Sequence, residues 1–139
     1  MPSRQGCNIR LKRAHEAWSR GDCQRILVDR IWPRILTKAE LHLDCWISEI
    51  APSPKLRRWF AHDSAKWDAF ERRYFRELDQ HPELVEDLLR KVGQGAVTQI
   101  FAASDVRRNN AVALKEYPEH RVQADRRGVT RRATGRILS

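Results

Sequence analysis

Paired cysteines are missing from this chain. Its three, Cys7, Cys23 and Cys45, are odd in number and widely spaced. None forms the Cys-x-x-Cys pair that redox and zinc sites use, so free thiols are the expected state. No two His, Cys or acidic positions stand at a spacing that demands a metal, and no segment spells out a cofactor, so none is expected. Long apolar runs are missing too. Neither end carries the apolar h-region of a secretory signal, and no run approaches the roughly 20 apolar residues of a membrane helix. The expected compartment is the cytoplasm, with no membrane partner. Internal repeats are absent. Negative charge is in short supply, with 18 Asp and Glu against 27 Lys and Arg, for a net +9.

What is present fits one globular domain. The 139 residues are 41% hydrophobic and include five tryptophans, enough for one core that buries roughly two-thirds of the unfolded surface. The positive charge is concentrated at the ends. Residues 1–20 set Arg4, Arg10, Lys12, Arg13 and Arg20 against Glu16, and residues 118–139 set six arginines against Glu119 and Asp125. The body between them is near neutral. That distribution suits weak, salt-sensitive attraction of nucleic acid by the termini better than a sculpted DNA-reading face.

Periodicity predicts the order β-β-α-α-α-α-β-α. Asn8 to Arg13 alternates apolar and polar residues, and Arg25 to Trp32 is apolar on both faces until Asp29 and Arg30. Strands apolar on both sides belong to sheets covered twice by helices. Thr37 and Glu40 form a capping box, followed by Leu43, Trp46, Ile47 and Ile50 at helical spacing. Ser53-Pro54 opens a second helix. Trp67, Phe70, Tyr74 and Leu78 stripe a third, and Leu84 to Val92 a fourth that ends at Gly93. Ala96 to Ala103 is the last strand, and a helix from Asn109 to Tyr117 stops at Pro118. The expected fold is a single α/β domain over 8–117, a small mixed or mainly parallel sheet covered by helices. Residues 118–139 read as a basic disordered tail.

In open α/β sheets ligands bind beyond the carboxyl ends of the strands. Arg30, Trp32 and Arg34 lie at that end of the second strand. A parallel third strand would deliver Asp105 and Asn109 to the same rim. Two guanidiniums there suit a phosphate or carboxylate, with Trp32 and Asn109 lining the ligand and His62 or Asp105 moving a proton. The alternatives stay open. Arg30 could be a structural arginine paired with Asp29, Asp63 or Asp105. Trp32 could be packing. His62 could close one helix end while Asp63 caps the next, and no nucleophile is fixed by spacing.

Three spaced motifs carry a resemblance over about residues 8–117: Leu27-Val28-Asp29-Arg30-Ile31-Trp32-Pro33-Arg34, Leu56-Arg57-Arg58-Trp59-Phe60-Ala61-His62-Asp63 with Trp67, Phe70 and Tyr74, and Ala102 to Leu114. In these the chain resembles the YeaO-like bacterial family classed as domain of unknown function four-eight-eight. The resemblance implies a small cytoplasmic α/β domain and no particular activity. It also implies a glycine after the Trp-Pro-Arg run, where this chain has Ile35, a β-branched residue ill suited to positive φ. Three readings follow: a domain that binds or turns over a small anionic ligand, a nucleic-acid-associated or regulatory module using the basic ends, and a scaffold whose site Ile35 has disabled.

Overall fold

Four short stretches, three of which carry two aliphatic side chains each, build the sheet: β1 (Ile9–Arg13), β2 (Gln24–Leu27), β3 (Cys45–Trp46) and β4 (Val97–Phe101). The computed structural model describes residues 8–123. All four strands run parallel, in the order β1-β4-β2-β3. β4 lies between β1 and β2 and is buried along its whole length; Val97, Ile100 and Phe101 supply apolar surface to both faces, and the buried Thr98 and Gln99 donate to the Asp22 and Ala111 carbonyls at 2.7 and 2.8 Å.

Side chains alternate across each strand, and the two faces have unequal cover. Ile9, Ile26, Val28, Val97 and Phe101 join the main core with residues of α2 (Pro54–Phe60), α3 (Trp67–Asp79), α4 (Pro82–Gln94) and α5 (residues 110–123). Leu27 and Ile100 point the other way. They meet only Ala14, Leu41 of the four-residue α1 (Lys38–Leu41), and the partly buried Trp32, Leu36 and Leu43. Long helices therefore cover one face, and loops with one helical turn cover the other.

Several boundaries follow the local chemistry. Ser53 caps α2 by accepting from the Leu56 N–H at 3.1 Å, with Pro54 in the first turn. Its own N–H and hydroxyl bind Glu77 at 2.9 and 2.6 Å, tying α2 to α3. The Thr37–Glu40 capping box forms as its spacing predicts. The helix expected to continue from it through Ile50 does not. His42 turns left-handed (φ 49°), and Asp44 is drawn to the sheet edge. Its carboxylate accepts from the Arg25 N–H and its N–H donates to the Arg25 carbonyl, both at 2.8 Å. Those two bonds make Cys45 and Trp46 a strand.

β2 is shorter than its apolar run, because its backbone leaves the sheet once Val28 has donated to Ile100. α4 passes through Gly93 to Gln94 and is closed by Gly95 (φ 155°). α5 passes through Pro118 to residue 123. Proline removes one intrahelical bond there, and the turns on either side are held where Tyr117 and His120 pack on Phe75, with ring centroids at 5.4 and 4.5 Å. The rest of the arginine-rich tail, 124–139, lies outside the described residues.

The face with thin cover carries a charged cluster. Arg25 is fully buried; its Nε donates to the Leu41 carbonyl at 2.9 Å and its guanidinium to Asp22 at 2.6 Å. Lys12 and both the N–H and hydroxyl of Ser19 also donate to Asp22. Burial pushes the Asp22 carboxyl up, but the hydrogen bonds from Lys12, Ser19 and Arg25 together outweigh it. They hold the group well below the usual carboxylate range.

Candidate functional site at the strand exits

Beyond the carboxyl ends of β2 and β4 three segments are laced together by one carboxylate. Asp29 accepts from the Ala102 N–H at 2.9 Å and from the Asn110 amide at 3.1 Å, and the same amide donates to the Val28 carbonyl at 3.0 Å. The exits of both strands and the first turn of α5 are thereby held together. Burial pushes the Asp29 carboxyl up; its two hydrogen bonds and the nearby Arg57 charge reverse only part of that rise.

The chain then turns outward. Arg30 donates from Nε to the Pro52 carbonyl at 3.3 Å and from its terminal nitrogen to the Ala51 carbonyl at 3.0 Å. It braces the loop before α2 and pairs with none of Asp29, Asp63 or Asp105. Trp32 donates to the Leu36 carbonyl at 2.7 Å and meets Trp46 edge-on at 5.5 Å, so packing already employs much of its ring. A turn from Pro33 to Leu36, closed at 3.5 Å, carries exposed Arg34 at its tip and puts Ile35 at φ 61°. Turns of this kind commonly give that position to glycine. The sequence-based suspicion about Ile35 is therefore met by the backbone, and the side chain is 89% exposed.

A cavity of about 660 Å³ opens here. Arg30, Trp32, Arg34, His62 and Asn109, all expected at the rim, line it together. Asp105 does not. Its exposed carboxylate accepts from the N–H groups of Arg107 and Arg108 at 2.9 and 3.1 Å, bonds that hold it below its ordinary value. It shapes the loop that brings Arg108 to the cavity. Asn109 is buried and doubly engaged: its amide donates to the Asp105 carbonyl at 2.8 Å and its side-chain oxygen caps α5 at Val112 at 3.0 Å. His62 is exposed, left-handed at φ 59°, and its ring stands 6.3 Å from that of Phe60. Asp63 caps the turn into α3, accepting from Ala65 at 3.0 Å, as the alternative reading expects.

The cavity adds residues that the alternation argument did not reach. Arg57 and Arg58 arrive on α2, between Leu56 and Phe60, which face the core. Arg108 arrives from the loop before α5. The signal for the first two was visible: residues between inward positions four apart on a helix lie on its outer flank, and this helix starts at the rim. Five arginines thus surround the cavity, and Asp29 is its single lining acid. None of the five enters a salt bridge among the described residues. The lining holds no Ser, Thr, Cys, Tyr or Lys side chain, and no group of three metal-ligating side chains occurs among the described residues. The arrangement can attract and orient an anion, while among the described residues His62 and Asp29 are its only groups able to exchange a proton.

The family model described as the inactive DUF488-N3 subclade matches residues 8–134. An uncharacterized protein of Mycobacterium tuberculosis is 38% identical over 109 residues, covering 78% of this chain and 91% of the relative. The match to an uncharacterized protein of Mycobacterium bovis has the same extent. YeaO of Escherichia coli, also uncharacterized, is 34% identical over 110 residues, 79% of this chain and 96% of the relative. No solved structure matches the chain significantly. Among the described residues no helix is long and apolar enough to cross a membrane.

Proposed function

The chain belongs to the DUF488 family, in the subclade described as inactive, and from that premise we propose that it is a binding domain for a small anionic, phosphate- or carboxylate-bearing ligand. The observation that carries this reading is the imbalance at the strand exits, where five guanidiniums, one of them (Arg30) engaged with the Ala51 and Pro52 carbonyls, meet one carboxylate that already serves Ala102 and Asn110. Like charges gathered without acids repel one another. A fold keeps such an arrangement most economically when an anion completes it, by charge-assisted and bidentate hydrogen bonds. Turnover has less support: among the described residues the lining offers no nucleophile and His62 has no hydrogen-bonded partner to orient it, and Asp105 stands outside. Calorimetric titration with inorganic pyrophosphate tests the reading. Binding should weaken sharply as salt rises and be lost in Arg57→Ala/Arg58→Ala; undiminished binding by that variant would overturn it.

The net +9 supports a second reading, a nucleic-acid-associated module using its basic ends. Replacing Arg126, Arg127, Arg131 and Arg132 with glutamine in the full chain should then lower affinity for duplex DNA and flatten its salt dependence. Unchanged affinity would remove this reading and leave the cavity reading intact.

A further inference from the structure

We propose that the cavity is built for an organic diphosphate with a flat, apolar body, of which a nucleoside diphosphate is the natural chemical type. This rests on the reading of the cavity as an anion site and goes beyond it in three respects. The first is size. At about 660 Å³ the space falls among pockets that enclose whole organic ligands, roughly 300–1,000 Å³. A water takes about 30 Å³ of liquid, so an inorganic anion would leave most of the hollow wet.

The second is charge and its layout. Arg57 and Arg58 are consecutive on α2, so their side chains leave the helix about 100° apart. They cannot grip one phosphate side by side, but they can address two neighbouring ones. Arg34 and Arg108 approach from two other segments. One phosphate, with about −1.5 to −2 of charge, leaves much of this field unmatched, and a second phosphate nearly doubles the charge it meets.

The third is the wall. Pro54 and the 60% exposed Ile31 offer open apolar surface, and the buried Pro33, Pro52, Phe60 and Phe70, the two rings stacked on each other at 4.4 Å, floor the cavity behind them. Such a surface suits the face of a ring. At its margin Asp29 accepts two hydrogen bonds, and a carboxylate has about four acceptor sites. The spare ones can take an amino or hydroxyl hydrogen from the ligand body.

Calorimetry on the full chain, without added metal, compares pyrophosphate, AMP and ADP, with GMP and GDP as a second series. At least one nucleoside diphosphate should bind tenfold or more tightly than both pyrophosphate and its own monophosphate. A diphosphate no better than pyrophosphate removes the role of the apolar wall, and one no better than its monophosphate removes the role of the second phosphate; either result overturns this proposal while leaving the anion site standing. If pyrophosphate and every nucleotide fail to bind, the anion reading falls with it.

Discussion

Two places in this molecule gather basic side chains, and they do so in opposite ways. On the thinly covered face, Arg25 and Lys12 converge on Asp22, which both ion pairs share at 2.6 and 3.0 Å. Arg25 is wholly buried there. At the strand exits, Arg34, Arg57, Arg58 and Arg108 are exposed around a cavity with one acid already committed to the backbone and Asn110. The first arrangement is held within the protein: both cations meet the same carboxylate, and one terminal nitrogen of Arg25 is left without a hydrogen bond. In the second none of the arginines enters a salt bridge among the described residues, and it is this arrangement that the proposed anion would complete. The difference marks which arginines hold the fold and which are held by it.

The largest expected effect breaks the first region. Asp22→Ala strands Arg25 without a counter-charge in the interior, and leaving one partner of a buried pair costs about 3–5 kcal/mol, a large share of a domain's net stability. Urea unfolding should show this loss. The pH dependence has a definite sign. Because the folded value of Asp22 lies below its ordinary 3.8, the stabilisation is fully present above that value. It is lost only as pH falls through the folded value. The wild type should therefore keep this contribution through mild acid.

The second region should respond in the reverse sense. Arg57→Ala/Arg58→Ala removes two exposed, unpaired charges, so the unliganded melting temperature should hold or rise slightly. Pyrophosphate affinity should fall by more than about 100-fold, since two charged hydrogen bonds at about 1.5–3 kcal/mol each amount to about 3–6 kcal/mol. A variant that unfolds instead would place these arginines in the first category and erase the contrast.

Much of this was legible in the sequence, and the misses have physical causes. Parallel strands, the Ser53 and Thr37 caps and the α3 stripe are local or periodic signals, and they hold. That Arg30, Trp32, Arg34 and Asn109 line one cavity followed from strand exits and loop order, which also sent Asp105 there although it stands outside; His62, read at a helix junction, lines it too. The helix through Ile50 failed because Asp44 and Arg25 pair across nineteen positions, which no window of helical periodicity contains. Arg30 is structural through the Ala51 and Pro52 carbonyls and not through the ion pair sought there; the buried ion pair is at Arg25, whose partner Asp22 lies in the segment read as a polar loop. Arg57 and Arg58 were missed as lining residues because a helix flank becomes a wall only once the helix is docked.

A smaller effect concerns Asp29, the single acid that lines the cavity among the described residues. Its folded value is raised above 3.8 by burial. As pH falls through that value the carboxylate is neutralised and the cavity becomes more positive, so anions should bind more tightly on the acid side. Asp29→Asn should mimic this at neutral pH, tightening pyrophosphate binding several-fold; one charge at several ångströms through partly solvated surroundings amounts to about 1 kcal/mol. It should also remove that part of the pH dependence. Affinity that drops in the variant would show that Asp29 matters more as the clasp between Ala102 and Asn110 than as a charge.

The smallest effect separates strain from obstruction at the cavity mouth. Ile35 holds φ 61° with its side chain almost entirely in solvent. It therefore bears the left-handed cost, about 1–2 kcal/mol, with little packing in return. Glycine relieves that cost but gives back roughly 0.5–1 kcal/mol in unfolded-chain entropy. Ile35→Gly should therefore stabilise by a fraction of a kcal/mol to about 1 kcal/mol, raising the melting temperature by a few degrees. Pyrophosphate affinity should stay within about twofold, because the turn that presents Arg34 is already formed. If glycine instead raises affinity tenfold or more, the isoleucine obstructs the entrance. The resemblance that implies glycine here would then mark where this chain departs from a more open site. A fall in stability would mean that the exposed side chain makes contacts worth more than the strain it endures, and the backbone angle would no longer explain its rarity.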